Sequence, residues 1–334
     1  MTDTTTGKKQ FKMLDKARYI DNADVLFDSN VIRANNSLAE QKLLALTDLL
    51  VEHPDQGNVW FSLLSLSEML GPRKASRQIE VLSRFQNLYK RFGDRVKFFG
   101  PGRFSSVRAE WEGKGSFLCT SASSIDEYVS ASIAAGELVG MLKDVRDEWE
   151  TSKAAMQQAY ADQTAKCRAH YESDLMFREA IKTGIAQFGT ENVLEQCGDI
   201  VERLLVEVLG RPAEDLSLAK ENPSAYFCTW TYALLKRLAD FSATLTDEER
   251  ETNFAEYGRL LVPNPNDFFD AYIASAGGQC GMLITDDEGL IAKLNALHDA
   301  HPSLVRLQGF TVGDAWIAYD PPNGRKRDRT KPIL

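Results

Sequence analysis

Short, uninterrupted apolar runs alternate with amphipathic stretches at both ends of this chain, whereas its middle carries helical periodicity alone. The runs Val25–Phe27, 59–64, Val96–Phe99, Met282–Ile284 and 304–312 predict buried strands, with 316–319 as a further candidate. Between them, residues 38–51 predict a helix with apolar Leu43, Leu44, Leu46, Leu49 and Leu50. Residues 76–92 predict another, with the stripe Ile79, Leu82, Phe85, Leu88, Tyr89 and Phe92. Residues 59–64 run into a helix bearing Glu68, which Gly71-Pro72 stops. Asn264-Pro265-Asn266-Asp267 opens a helix carrying Asp270, Gly277-Gly278 closes it, and Glu288–Ala300 predicts one more.

From about residue 124 to 257 strand signals vanish. Val129, Ile133, Val139, Leu142, Val145 and Trp149 read as one helical stripe, Ile200, Leu204, Leu205 and Val208 as another, and Thr246 with Glu249 forms a capping box. The pattern predicts an α/β fold with a central, mainly parallel sheet, interrupted by an all-helical insertion. Its parts are a polar lead-in (1–23), a first core segment (24–120), the helical insertion (121–257), a second core segment (258–320) and a basic tail (321–334).

Composition adds bounds. The chain has 334 residues, 43% of them hydrophobic and 26% charged, which suits a sizeable buried core. Residues 1–16 lack the apolar stretch of a signal peptide. The best membrane candidate, 128–142, is interrupted by Glu137 and falls short of the roughly 18 to 20 apolar residues a span needs. The five cysteines are scattered without a CxxC pair, and the four histidines do not neighbour them, so a soluble protein of the reducing cytoplasm is expected.

Charge is unevenly spread. Against a net −9, residues 73–114 carry eleven basic and four acidic side chains, a local +7 that leaves −16 for the remainder. Arg73, Lys74 and Arg77 are the candidate contacts to nucleic-acid phosphates, and residues 325–331 form a second basic block. A solvated helix face and a polar tail account for the same residues without a ligand.

Candidate chemistry rests on acids. Asp28 ends the first apolar run, and Asp286-Asp287 follow the run Met282–Ile284; Glu68 and Asp270 lie on predicted helices. Open α/β sheets build their sites at such strand ends. Carboxylates converging there repel one another unless a divalent cation compensates them, and an all-oxygen ligand set suits Mg²⁺ or Mn²⁺.

Asp28-Ser29-Asn30 after an apolar strand, Glu68 forty residues on, Asp270 with Ile273 and Ala274, and Leu283, Thr285 and Asp287 together resemble the motifs of the PIN-domain ribonucleases. The likeness covers roughly 24–115 and 258–315, and the 17 residues from Asp270 to Asp287 are similar to the family's spacing. It implies a PIN-like three-layer core and a metal-dependent nuclease, with RNA ahead of DNA as substrate. Asp28, Glu68, Asp270 and Asp287 would hold Mg²⁺ or Mn²⁺ and activate water, with Asn30, Thr285 and Asp286 supporting them. Asp286 competes with Asp287 for the ligand position, and Asp267 is an understudy read as a helix cap. The long insertion departs from a minimal member and offers a surface for a protein partner.

Two other readings fit the same residues. One is a haloacid-dehalogenase-like phosphatase with Asp28 as nucleophile, although Asn30 stands where that chemistry places its second acid. The other is a catalytically silent PIN-like scaffold that binds RNA.

Overall fold

A computed structural model of the chain describes residues 24–313, except 34–36, 53–56, 72–73, 101, 114–118, 121, 189, 191, 247, 250–259, 262–263 and 265. The lead-in, Arg73, the candidate strand 316–319 and the basic tail lie outside the described residues.

Six strands form one sheet: β1 (Val25–Phe27), β2 (Val59–Ser62), β3 (Val96–Phe99), β4 (Cys119–Thr120), β5 (Met282–Ile284) and β6 (Gln308–Phe310), in the order β4-β3-β2-β1-β5-β6. All but β4 are mutually parallel, and β4 runs antiparallel to β3 at one edge. The α/β class and mainly parallel sheet are thus as the apolar runs predict.

The helices, in chain order, are α1 (Ser29–Arg33), α2 (Ser37–Glu52), α3 (Leu63–Leu70), α4 (Ala75–Lys90), α5 (Ser105–Trp111) and α6 (Ala122–Ala135). After them come α7 (Met141–Ser173), α8 (Leu175–Gln187), α9 (Val193–Arg203), α10 (Leu216–Glu221), α11 (Phe227–Thr244), α12 (Asp267–Ala276) and α13 (Glu288–Ala300).

Period-2 alternation divides the strand side chains between two cores. Val25, Phe27, Val59, Phe61, Val96, Phe98, Met282 and Ile284 face one side, under residues from α1, α2, α4 and α6. Aromatic rings interlock there, with Phe27 stacked on Phe61 at 5.7 Å and Phe85 edge-on to Phe61 at 5.2 Å. Each ring is fully buried, which stabilises the fold by about 2–3 kcal/mol apiece. Leu26, Trp60, Phe99 and Leu283 face the other side, under α5, α11, α12 and α13.

The helical segment is inserted in sequence but shares this second core. α11 is buried along nearly its whole length, and it lies against α12. Gly278 permits that approach, and Gly277 lets the end of α12 close on β1. A Cβ on Gly277 would stand 2.4 Å from Leu26 Cδ2, and one on Gly278 would stand 2.6 Å from Cys228 Cα. Ser275 Oγ donates to the Cys228 carbonyl at 2.9 Å, pinning the same corner.

Several local expectations need correction. The stripe from Val129 to Trp149 is two helices, because Gly136 (φ 73°) and Gly140 (φ 55°) take left-handed backbone and turn the chain between α6 and α7. Strand β2 stops at Ser62, whose hydroxyl accepts from the Leu64 amide and starts α3 two residues before the apolar run ends. Of 304–312 only Gln308–Phe310 is strand, the preceding residues being turn and loop. α5 and β4 were not foreseen from the pattern. Thr246 and Glu249 do make the reciprocal bonds of a capping box. No described helix is long and apolar enough to cross a membrane.

Candidate active site

The strand order turns at β1: β2 and β3 extend the sheet to one side of it, β5 and β6 to the other. Crevices at the carboxyl ends of strands flanking such a switch point are where open α/β sheets place their ligands. Asp28 follows β1 and Thr285 follows β5, and the register Phe27↔Ile284 sets them side by side. The Asp28 amide donates to the Ile284 carbonyl at 2.9 Å, extending the ladder up to the site.

Thr285 is the hub. Its hydroxyl donates to Asp28 Oδ2 at 2.8 Å and accepts from Asn30 Nδ2 at 3.0 Å and from the Asp287 amide at 3.1 Å. Asn30 Oδ1 in turn accepts from the Asp286 amide at 3.0 Å. Asn30 and Thr285 therefore fix the two strand ends against each other. Asp28 Oδ1 accepts from the Ser29 amide at 2.6 Å, so both of its oxygens are held.

Asp28 is 6% exposed, and burial pushes its carboxyl up to about 6. The bond from Thr285 opposes that rise, and the charge of Glu68 adds to it. Asp270, on the first turn of α12, is raised well above the ordinary carboxylate value, first by burial. The charges of Asp287, Asp28 and Asp267 raise it further, with Lys293 opposing. Asp28 senses the charge of Glu68, and Asp270 senses those of Asp287 and Asp28, so these acids neighbour one another near the carboxyl ends of β1 and β5. Among the described residues no amide or side chain donates a hydrogen bond to Asp270.

The neighbouring acids behave differently. Asp287 caps α13, its Oδ1 accepting from the Leu290 amide at 2.9 Å, and its charge reaches Asp270. Asp286 is raised by burial, and the charge it senses is that of Lys42, not those of the other acids. Of the two, Asp287 is the one whose charge reaches Asp270. Asp267 is not a simple helix cap. It is 4% exposed, pairs with the equally buried Lys293 and accepts from the Asn264 amide at 3.2 Å. Glu110 is another buried acid, but it accepts from the Cys228 and Thr229 amides, Thr229 Oγ1 and Gln279 Nε2. Its work is to cap α11 from α5.

Glu68 hangs from α3 into the crevice. Ser29 Oγ donates to its Oε2 at 2.7 Å, Arg33 Nη2 donates to its backbone carbonyl at 2.6 Å, and Arg33 and Lys153 each lie 3.9 Å from its Oε1. Ser29, Arg33, Lys153 and Lys293 were missed by sequence reasoning. Ser29 lies inside the quoted Asp28-Ser29-Asn30 motif, where it could have been found; the three cations belong to helices whose facing is not legible from spacing. Of the expected phosphate contacts, Lys74 is exposed and Arg77 pairs with Glu80 within α4.

Among the described residues, no three His, Cys, Asp or Glu side chains stand close enough to grip one ion as they are placed. The donors are nonetheless of the kind that Mg²⁺ and Mn²⁺ select, all oxygen and all acidic. Asp270, surrounded by three negative charges and opposed by one lysine, shows the charge deficit such an ion would fill. No family model, curated protein or solved structure matches this chain.

Proposed function

We propose that this protein is a PIN-like, divalent-cation-dependent nuclease that hydrolyses phosphodiester bonds, with single-stranded RNA as the leading substrate and structured DNA behind it. The observation that carries the reading is the raised proton affinity of Asp270, produced by burial, by the carboxylates of Asp287 and Asp28 from distant segments of the chain, and by Asp267 on its own helix. Asp267 has a buried lysine partner and Glu110 accepts two amide hydrogen bonds, whereas three acids and one lysine act on Asp270.

In hydrolysis a water oxygen bonds to phosphorus, the P–O ester bond breaks, and the departing oxygen takes up a proton. Bound Mg²⁺ or Mn²⁺ would supply the positive charge that lets the acids ionise together and that stabilises charge on the phosphate. Asp28, Glu68, Asp270 and Asp287 would hold it. Thr285 and Ser29 fix the direction of the Asp28 oxygens, so the crevice is ordered before substrate arrives. Asp270, to which no described amide or side chain donates a hydrogen bond, would take the proton from the attacking water.

The test is cleavage of an end-labelled single-stranded oligoribonucleotide in Mn²⁺ or Mg²⁺. Asp28→Asn should lower the rate on the order of a thousandfold, and chelation should stop the wild type. Undiminished cleavage by the variant would sink the assignment. Binding without cleavage would leave the scaffold reading, and a phosphorylated Asp28 would establish the phosphatase instead.

A further inference from the structure

Helix α7 belongs to the segment that interrupts the core, yet one of its faces reaches the crevice. Trp149, Lys153, Met156 and Tyr160 recur at steps of four, three and four, the spacing of a single helical stripe. Trp149 packs edge-on to Phe269 at 4.9 Å, Tyr160 packs edge-on to Phe268 at 4.7 Å, and Met156 packs against the same core. Lys153 therefore occupies a packing position on this stripe, where an apolar side chain would be ordinary. Its ammonium lies 5.3 Å from the centre of the Phe269 ring and 3.9 Å from Glu68 Oε1. From the other side Arg33 reaches the same oxygen at 3.9 Å, and its buried Nε has no partner in the structure.

Two cations thus flank one carboxylate without closing a hydrogen bond to it. Each is only about a quarter exposed. A cation pair that merely neutralised Glu68 would gain from closing to hydrogen-bond distance. A pair held at the edge of an acidic crevice is instead arranged for an anion that enters together with a compensating metal ion.

We propose that Lys153 and Arg33 hold the non-bridging oxygens of a nucleic-acid backbone phosphate at this site, so that the helical segment completes the site with one wall of it. The proposal rests on the nuclease reading. It assigns the interrupting segment a substrate-holding task and makes the backbone phosphate, not the bases, the group recognised there. Arg33 also donates to the Glu68 carbonyl, so Lys153 is the cleaner position to alter.

The experiment measures binding of a fluorescent single-stranded oligoribonucleotide in Ca²⁺, in place of Mn²⁺, by wild type, Lys153→Met and Lys153→Arg, across salt concentrations. Mn²⁺ affinity is measured on the same three proteins. Lys153→Met should bind the oligonucleotide about tenfold more weakly, with a salt slope smaller by about 1, and Lys153→Arg should restore most of both. Mn²⁺ affinity of Lys153→Met should hold or tighten, because a positive charge beside Glu68 has gone. Oligonucleotide binding unchanged in Lys153→Met, while wild type binds and cleaves, would overturn the clamp and leave the nuclease standing. A parallel loss of Mn²⁺ and oligonucleotide affinity would mark Lys153 as a structural support and likewise overturn it. A wild type that neither binds nor cleaves would remove the nuclease reading itself, and the clamp with it.

Discussion

Asp267 and Asp270 lie one turn apart on α12 and meet opposite surroundings. Asp267 is buried against Lys293 and accepts an amide hydrogen bond. Asp270 has its proton affinity raised first by burial and then by the charges of Asp287, Asp28 and Asp267, and Lys293 compensates only in part. Burial is common to both, so burial alone does not distinguish them. What separates them is whether the fold supplies a positive partner or leaves that to something outside the chain. Glu110 is a third case: burial raises it as well, and its partners are two amides, a hydroxyl and a carboxamide.

The comparison breaks most visibly on removing the partner. Lys293→Met leaves Asp267 buried and unpaired, and should cost about 3–5 kcal/mol of stability in chelator, read by denaturant unfolding. Asp270→Asn removes a charge with mainly repulsive neighbours, and should stabilise the metal-free protein by about 1 kcal/mol. Equal losses in the two variants would erase the distinction between the two ends of the turn.

A smaller effect sharpens it. Burial lifts Asp28 from 3.8 to about 6 in the folded protein, so folding favours its protonated form. Ionised Asp28 therefore destabilises the metal-free fold, and that penalty is relieved as pH falls through 6 towards 4. Between pH 7 and pH 5 the relief is about 1 kcal/mol. Asp28→Asn lacks this contribution, so its stability advantage over wild type in chelator should shrink by that amount over the interval. An advantage that stays constant with pH would place the Asp28 carboxyl in ordinary surroundings.

Much of the sheet could be read in the sequence, because each parallel strand is an apolar run and buried strands need no polar face. Asp28 and the Thr285-Asp286-Asp287 segment were legible for the same reason: a carboxylate directly after such a run has to emerge at the strand end. Between Asp286 and Asp287 the motif already favoured Asp287, and the fold adds that it caps α13 and that its charge reaches Asp270. The break between α6 and α7 was hidden because the apolar spacing continues across Gly136 and Gly140, whose backbone conformation the spacing does not report. Lys153 was invisible because periodicity says which residues share a face and not what that face meets. Lys74 and Arg77, conspicuous in the sequence as part of a basic run, are surface residues at the start of α4, Lys74 just before it and Arg77 paired within it.

The most direct test of the uncompensated crevice is calorimetric titration of Mn²⁺ into wild type and Asp270→Asn near pH 6, in buffers of different ionisation enthalpy. Binding by wild type with release of protons, and binding at least about tenfold weaker with fewer protons released by Asp270→Asn, is the predicted result. Absence of binding by wild type, or equal affinity and proton release in the two proteins, would contradict the account.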